Sequence, residues 1–245
     1  MTVTATPTTG AKPDSSPAHE PYQGREATVG YKVTRLIARL ATTLLFDLKV
    51  YGTENVPRTG GLLLVSNHQS NLDPVLLGVQ LPRALSYMAK SELFKVNPVF
   101  SRLIRSLGAF PVRQGSADVG AVKEAIARLQ EGDVLNVYPE GSRTEDGEIA
   151  PMEKGIGLVI RRAKVPVVPV AIDGSYDAWP KGRKIFRRWP IRLQYGPPMD
   201  LTHLDRDEIV QRVDQTLRRM FDELRSKRPQ HSPPFPPPGY LPPGP

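Results

Sequence analysis

The 245-residue sequence contains no cysteine. That excludes disulfides, thiolate metal sites and a cysteine nucleophile, and leaves the compartment open. It contains no uninterrupted apolar run of the roughly 18 residues that a membrane-spanning helix requires. The polar stretch 1–23 has no apolar segment of the kind a secretory signal needs, so a cytoplasmic protein is expected. Histidine is scarce, at four residues, and no HExxH motif pairs any of them, which makes a zinc hydrolase a poor reading and no metal is expected. Acidic residues are outnumbered, 25 against 33 Lys and Arg, for a net charge of +8. Such an excess favours anionic partners: nucleic acid, anionic lipid, phosphorylated substrates or an acidic carrier protein. The basic residues are not gathered on one reading element, and no helix-turn-helix, zinc or RNA-binding signature occurs, so a nucleic-acid partner is not expected.

What is present is an ordered middle between two biased ends. Residues 1–24 read as a disordered leader, and residues 229–245, PQHSPPFPPPGYLPPGP, as an extended proline-rich tail with nothing to bury. Within 25–47, Val33, Leu36, Ile37, Leu40, Leu44 and Leu45 recur at spacings of three and four, with Lys32, Arg35 and Arg39 off the stripe. This is an amphipathic helix, either lying in a membrane interface or packing on the domain. From 48 to 228, seven β-like runs alternate with helical patterns: 48–52, 62–66, 84–89, 109–112, 134–139, 165–172 and 191–196. The expected fold is therefore α/β, a layered domain with a largely parallel or mixed sheet of about seven strands flanked by helices. The prolines of VPVVPVAI (165–172) point to an edge strand or a strand entry. In such sheets ligands bind where loops leave the carboxyl ends of strands.

Two polar clusters fall at such places. SNHQSNLDP (66–74) follows a buried-type strand and precedes a helix that Pro74 opens. On a continuous helix, residues five apart point away from each other. Across a strand-to-helix turn, Asp73 can accept from His68 Nδ1–H and leave Nε2 facing a crevice as a base. YPEGSRT (138–144) joins a carboxylate, Glu140, to a glycine that permits a tight path, Gly141, and to a planar phosphate-binding fork, Arg143. Taken alone, the first cluster also reads as helix caps and the second as a charged turn. Arg113, after the run 109–112, is either a second phosphate ligand or a solvated strand end. The basic stretch KGRKIFRRWPIR (181–192) suits anionic headgroups, coenzyme A phosphates or an acidic acyl carrier protein, with Phe186 and Trp189 at an interface, or reads equally as a solvated basic loop with core-facing aromatics.

Four blocks in order resemble the glycerophospholipid acyltransferase family of the bacterial 1-acylglycerol-3-phosphate type. They are NHxxxxD (Asn67, His68, Asp73), GxxFxxR (Gly108, Phe110, Arg113), a PEGTR-like block (Pro139, Glu140, Gly141, Ser142, Arg143) and Val165–Val170. MAKSELF (88–94), with Lys90, and MEKGIG (152–157), with Lys154, are softer matches, and Ser142 stands where threonine is commoner. The resemblance implies that His68 is the general base toward an acceptor hydroxyl and that Asp73 orients it. It implies that Arg113, Glu140, Gly141, Ser142 and Arg143 hold a glycerol phosphate, with Asn67, Lys90, Phe110 and Lys154 as further candidates. It implies no bound cofactor and no acyl-enzyme. It implies direct attack of the alcohol on the thioester of acyl-CoA or of an acyl carrier protein, by an enzyme expected on the inner face of the cell membrane. An oxyanion donor is needed, with backbone N–H groups of 67–70 or Gly141 as candidates. Glycerol-3-phosphate, another lysophospholipid, a lipid-linked sugar, or phospholipid binding without turnover are the alternatives.

Overall fold

A computed structural model describes residues 29–81, 83–106, 108–112 and 119–228. The expected leader, the proline-rich tail and Arg113 lie outside the described residues.

The chain opens with α1 (Val29–Phe46), which leads into β1 (Lys49–Tyr51). Then β2 (Leu62–Ser66), α2 (Asp73–Gln80), β3 (Leu85–Lys90), the single turn Ser91–Lys95, α3 (Pro98–Ser106) and β4 (Ala109–Val112) follow. After these come α4 (Val119–Gln130), β5 (Val134–Val137), α5 (Gly155–Ala163), β6 (Val167–Asp173) and the short α6 (Ser175–Ala178). The last elements are β7 (Arg192–Tyr195) and the long α7 (Arg206–Ser226). All seven apolar runs form strands of one sheet, in the order β1-β7-β6-β2-β5-β3-β4. Every neighbouring pair is parallel except β6–β7. The chain steps from β2 by α2 to β3 on one side, and from β5 by α5 to β6 on the other, the helical crossovers that joining parallel strands requires.

The core is two-sided. Leu63, Val65, Leu135, Val167 and Ala171 face one way and pack under α4, α5 and α7 through Ala125, Leu129, Val159, Ile160, Val213 and Leu217. Leu62, Leu64, Val134, Val168, Val170 and Leu193 face the other way, against Leu76, Leu77 and Phe46. Burial on both faces explains why β2 and β6 read as unbroken hydrophobic runs and not as alternating ones.

One expectation is corrected. VPVVPVAI is not an edge: β6 lies between β7 and β2, with Pro169 opposite Val65. Pro169 is tolerated because the missing N–H faces the β7 side, where its carbonyl accepts from Gly196 N at 2.8 Å just beyond the end of β7. Pro166 does stand at a strand entry, its carbonyl accepting from Leu63 N.

Helix α1 packs on α2 through Thr42 and Phe46, both buried, and through the Arg35 guanidinium, which donates to the Leu81 carbonyl. Its apolar stripe points the other way. Val33, Leu36, Ile37, Leu40 and Leu44 are 51–72% exposed. The basic loop 181–188 closes on the end of this helix, with Arg188 donating to the Leu44 carbonyl and Phe186 against Phe46. Of the two readings of the aromatics in this stretch, Trp189 takes the core-facing one, buried under Arg187. Among the described residues no helix is long and apolar enough to cross a membrane.

Candidate active site

Strands β2, β5 and β6 are mutually parallel neighbours, so their carboxyl ends open on the same edge of the sheet. The loops 66–73, 138–150 and 174–176 leave from there and meet.

The first loop turns sharply into α2, with Asp73 and Pro74 as its opening residues. The Asp73 carboxylate is wholly buried. Its Oδ2 accepts the backbone N–H groups of Gln69 and Ser70, each at 2.7 Å, and lies 2.8 Å from His68 Nδ1. An oxygen that already accepts two N–H bonds serves as acceptor to a third donor, so Nδ1 carries the imidazole proton and Nε2 is left free to accept. Asp73 Oδ1 accepts from Ser175 Oγ at 2.6 Å. His68 itself is 18% exposed, beside a partner at 0%. The Tyr138 ring stacks on the imidazole with centroids 3.8 Å apart and planes 15° from parallel. Burial first, then the nearby Asp73 charge, holds the Tyr138 phenol far above its ordinary range, so it stays neutral. Its hydroxyl has no hydrogen-bond partner among the described residues.

The second loop is laced to the first. Glu140 Oε1 accepts from His68 N and Oε2 from Ala150 N, both at 2.7 Å. Thr144 N donates to the His68 carbonyl at 2.8 Å, and the Gln69 amide reaches the Gly147 carbonyl. Gly141 turns the chain at φ 69, a left-handed conformation that an L side chain adopts at a cost. Glu140 is buried and its carboxyl is pushed up to about 7, chiefly by desolvation. The two backbone N–H groups and the more distant Arg218 charge oppose that rise.

The third loop depends on Gly174 at φ 89, where an added Cβ would meet the Pro190 carbonyl oxygen at 2.3 Å. This turn delivers Ser175 beneath Asp73. Below it, Arg228 from the end of α7 bonds both oxygens of Asp173 and also Asp177.

The candidates thus separate. His68, Asp73, Gly141, Ser142 and Arg143 converge on one edge, and Arg143 is half-exposed with no hydrogen bond or ion pair among the described residues. Lys90 is exposed at the end of β3, one strand from the Pro139–Arg143 loop. Glu140 is a clasp between two backbone segments, its two oxygens already bonded. Asn67 is turned inward, bonding the N–H and carbonyl of Ile172 at 2.8 Å each, and so ties β2 to β6. Phe110 is a core residue under the Arg128 guanidinium, and Lys154 pairs with Asp207 at 3.5 Å. Of the backbone N–H groups of 67–70 and Gly141, expected as oxyanion donors, those of His68, Gln69, Ser70 and Gly141 are engaged within the protein. Ser175, Tyr138 and Gln69 were not singled out from the sequence. Tyr138 and Gln69 sit inside the two motifs, but Ser175 has no local signal, being 102 residues from the carboxylate it bonds. No group of His, Asp and Glu among the described residues is arranged to hold a metal ion.

A protein-family model described as Acyltransferase matches residues 47–173. The 1-acyl-sn-glycerol-3-phosphate acyltransferase of Bacillus subtilis (strain 168) is 30% identical over 201 residues, 80% of this chain and 98% of that protein. That of Streptococcus pneumoniae (strain ATCC BAA-255 / R6) is 28% identical over 194 residues, 77% of this chain and 70% of that one. Among solved structures, the crystal structure of the 1-acyl-sn-glycerophosphate (LPA) acyltransferase, PlsC, from Thermotoga maritima matches with a TM-score of 0.70 at 31% identity, over 80% of each chain.

Proposed function

This chain belongs to the acyltransferase family, and on that footing we propose that it moves a fatty acyl group from a thioester to the sn-2 hydroxyl of 1-acyl-glycerol-3-phosphate, giving phosphatidic acid. The observation that carries the reading is the 2.8 Å His68–Asp73 pair, with the imidazole at the surface of the cleft edge and the carboxylate wholly buried.

The chemistry follows from the proton inventory. Asp73 fixes the tautomer, so Nε2 takes the proton of the acceptor hydroxyl as its oxygen bonds to the thioester carbon. The tetrahedral intermediate then collapses with loss of the C–S bond. The departing thiolate takes the proton back from Nε2, which restores His68 for the next turnover. The imidazolium between these steps is stabilised by a carboxylate that three further donors hold in place. Base catalysis of this kind contributes roughly two to four orders of magnitude, and placing the hydroxyl beside the carbonyl contributes more. Arg143, without an ion pair among the described residues, suits the phosphate that does the placing, with Gly141, Ser142, Lys90 and Arg113 as its proposed companions. The outward apolar stripe of α1, beside the basic loop 181–188, supports a peripheral position on the anionic inner face of the cell membrane, where the lipid acceptor resides.

The test is release of free thiol from acyl-CoA or acyl carrier protein in the presence of lysophosphatidic acid, with the product identified by mass. Wild-type protein is expected to turn over and His68→Ala protein, still folded, to fall by at least about a hundredfold. Equal rates would remove His68 from the mechanism. Transfer to glycerol-3-phosphate or another lysophospholipid, and not to lysophosphatidic acid, would replace the acceptor.

A further inference from the structure

The hydrogen bond to Asp73 holds the His68 imidazole by its edge, at Nδ1, and leaves the faces of the ring to packing. One face is covered by Tyr138, stacked at 3.8 Å between centroids with the planes 15° apart. The register of the sheet brings it there. Strands β2 and β5 run parallel with Val65 opposite Val137, so Tyr138 comes level with Ser66, two residues before His68. Its ring packs on the α2 side of the sheet, in the cluster that holds Leu76, Leu77 and Tyr195. The Tyr138 carbonyl accepts from Gly141 N at 3.1 Å and that of Pro139 from Glu153 N at 2.7 Å, so the backbone after the ring is fixed as well. The hydroxyl adds nothing to this. It is buried without a hydrogen-bond partner among the described residues, whereas the phenols of Tyr87 and Tyr195 bond the Pro74 and Leu77 carbonyls of α2. A buried polar group left unanswered costs stability and does nothing that a plain phenyl ring would not. What this position uses is the aromatic face.

We propose that Tyr138 is a positioning residue for the general base: its ring fixes the plane of the His68 imidazole and stabilises the imidazolium formed during acyl transfer, a role that rests on His68 being that base. Two effects act together. A single bond at Nδ1 leaves the imidazole free to tilt about that contact, which swings Nε2 away from the acceptor hydroxyl. A rigid aromatic face alongside removes the tilt, and a misplacement of about 1 Å at a reacting centre is enough to cost roughly a hundredfold in rate. The second effect is electrostatic. The negative π-face of Tyr138 meets a neutral ring in the resting enzyme and a cation once Nε2 has taken the hydroxyl proton. Its attraction is stronger for the cation, so it lowers the barrier and does not merely tighten the resting state. Asp73 acts in the same sense at the edge of the ring, so edge and face are served separately, by the start of α2 and the end of β5.

Steady-state kinetics of the full chain tests this, with the thioester donor and acceptor that support wild-type turnover and a thermal melt of each protein. Tyr138→Phe keeps the face and loses only the unpartnered hydroxyl. Its kcat is expected within about twofold of wild type and its melting temperature equal or higher. Tyr138→Leu and Tyr138→Met fill the space without a π-face, and two are made so that one folded protein suffices. Each is expected to lower kcat about tenfold with both KM values within about twofold, because the loss falls on the base and not on a substrate contact. In the His68→Ala background, where no imidazole remains to be held, Tyr138→Leu is expected to change the residual rate by less than about twofold. Aliphatic variants as fast as Tyr138→Phe overturn the proposal. So does a raised acceptor KM at unchanged kcat, a Phe variant as slow as the Leu one, or a full tenfold loss in the His68→Ala background. His68→Ala protein as fast as wild type would reject the base itself. Slow His68→Ala protein beside fast aliphatic variants would reject the stacking role alone.

Discussion

At the scale of single residues, the site is built around one buried charge. The Asp73 carboxylate is wholly buried, and among the described residues four hydrogen-bond donors offset the cost of that burial. Ser175, from a different strand end, donates to Oδ1. Ser175→Ala is therefore expected to reduce kcat by about ten- to a hundredfold, the worth of one hydrogen bond to a charged group, with acceptor KM little changed. Steady-state kinetics beside a thermal melt would separate this from unfolding. Glu140 gives a pH signature. Its ordinary value is 4.5 and the fold pushes it up to about 7, so the folded protein holds this proton more tightly than the unfolded chain. Its stabilising contribution is complete below the unfolded value and is lost as pH rises through about 7. The melting-temperature difference between wild type and Glu140→Gln is expected to favour wild type most near pH 4 and to shrink steadily toward pH 8. A difference that grows with pH would mean that the two backbone N–H bonds outweigh burial.

At the scale of elements, α1 is the unusual member. Most helices here bury their apolar side: α7 buries Ile209, Val213, Leu217, Met220, Phe221 and Leu224, and starts with a complete capping box at Asp205 and Glu208. Helix α1 instead attaches to α2 through Arg35, Thr42 and Phe46 and leaves its apolar stripe in the open. Leu36 and Leu40, both 57% exposed, contribute little to folding in this arrangement. Leu36→Asp/Leu40→Asp is expected to leave the melting temperature nearly unchanged while sharply reducing co-sedimentation with anionic vesicles. Pelleting as strong as that of wild type would show that the stripe serves something other than lipid.

At the scale of the whole molecule, distant parts of the chain close on the same few residues. Arg228, at the far end of α7, bridges the buried carboxylates of Asp173 and Asp177, which flank Gly174 and Ser175. The last helix thereby stiffens the turn that positions the Asp73 partner. Arg228→Ala leaves two buried carboxylates without this cation, and urea denaturation is expected to show a loss of about 3 kcal/mol, with kcat lowered as well. A change below about 0.5 kcal/mol would indicate that water compensates both groups.

The sequence by itself determined the layered α/β class, the seven strands and the His68–Asp73 candidates. Those depend on local matters: hydrophobic period, a proline at a helix start and residue types five apart across a turn. Only the tertiary structure decided that β6 is interior, that the α1 stripe faces outward and that Trp189 is core. The same holds for Glu140 and Asn67, which tie loops and strands together, and for Ser175, which completes the carboxylate's shell. Strand order and register are set by which faces bury one another, and that pairing joins residues a hundred positions apart with no mark in the chain between them.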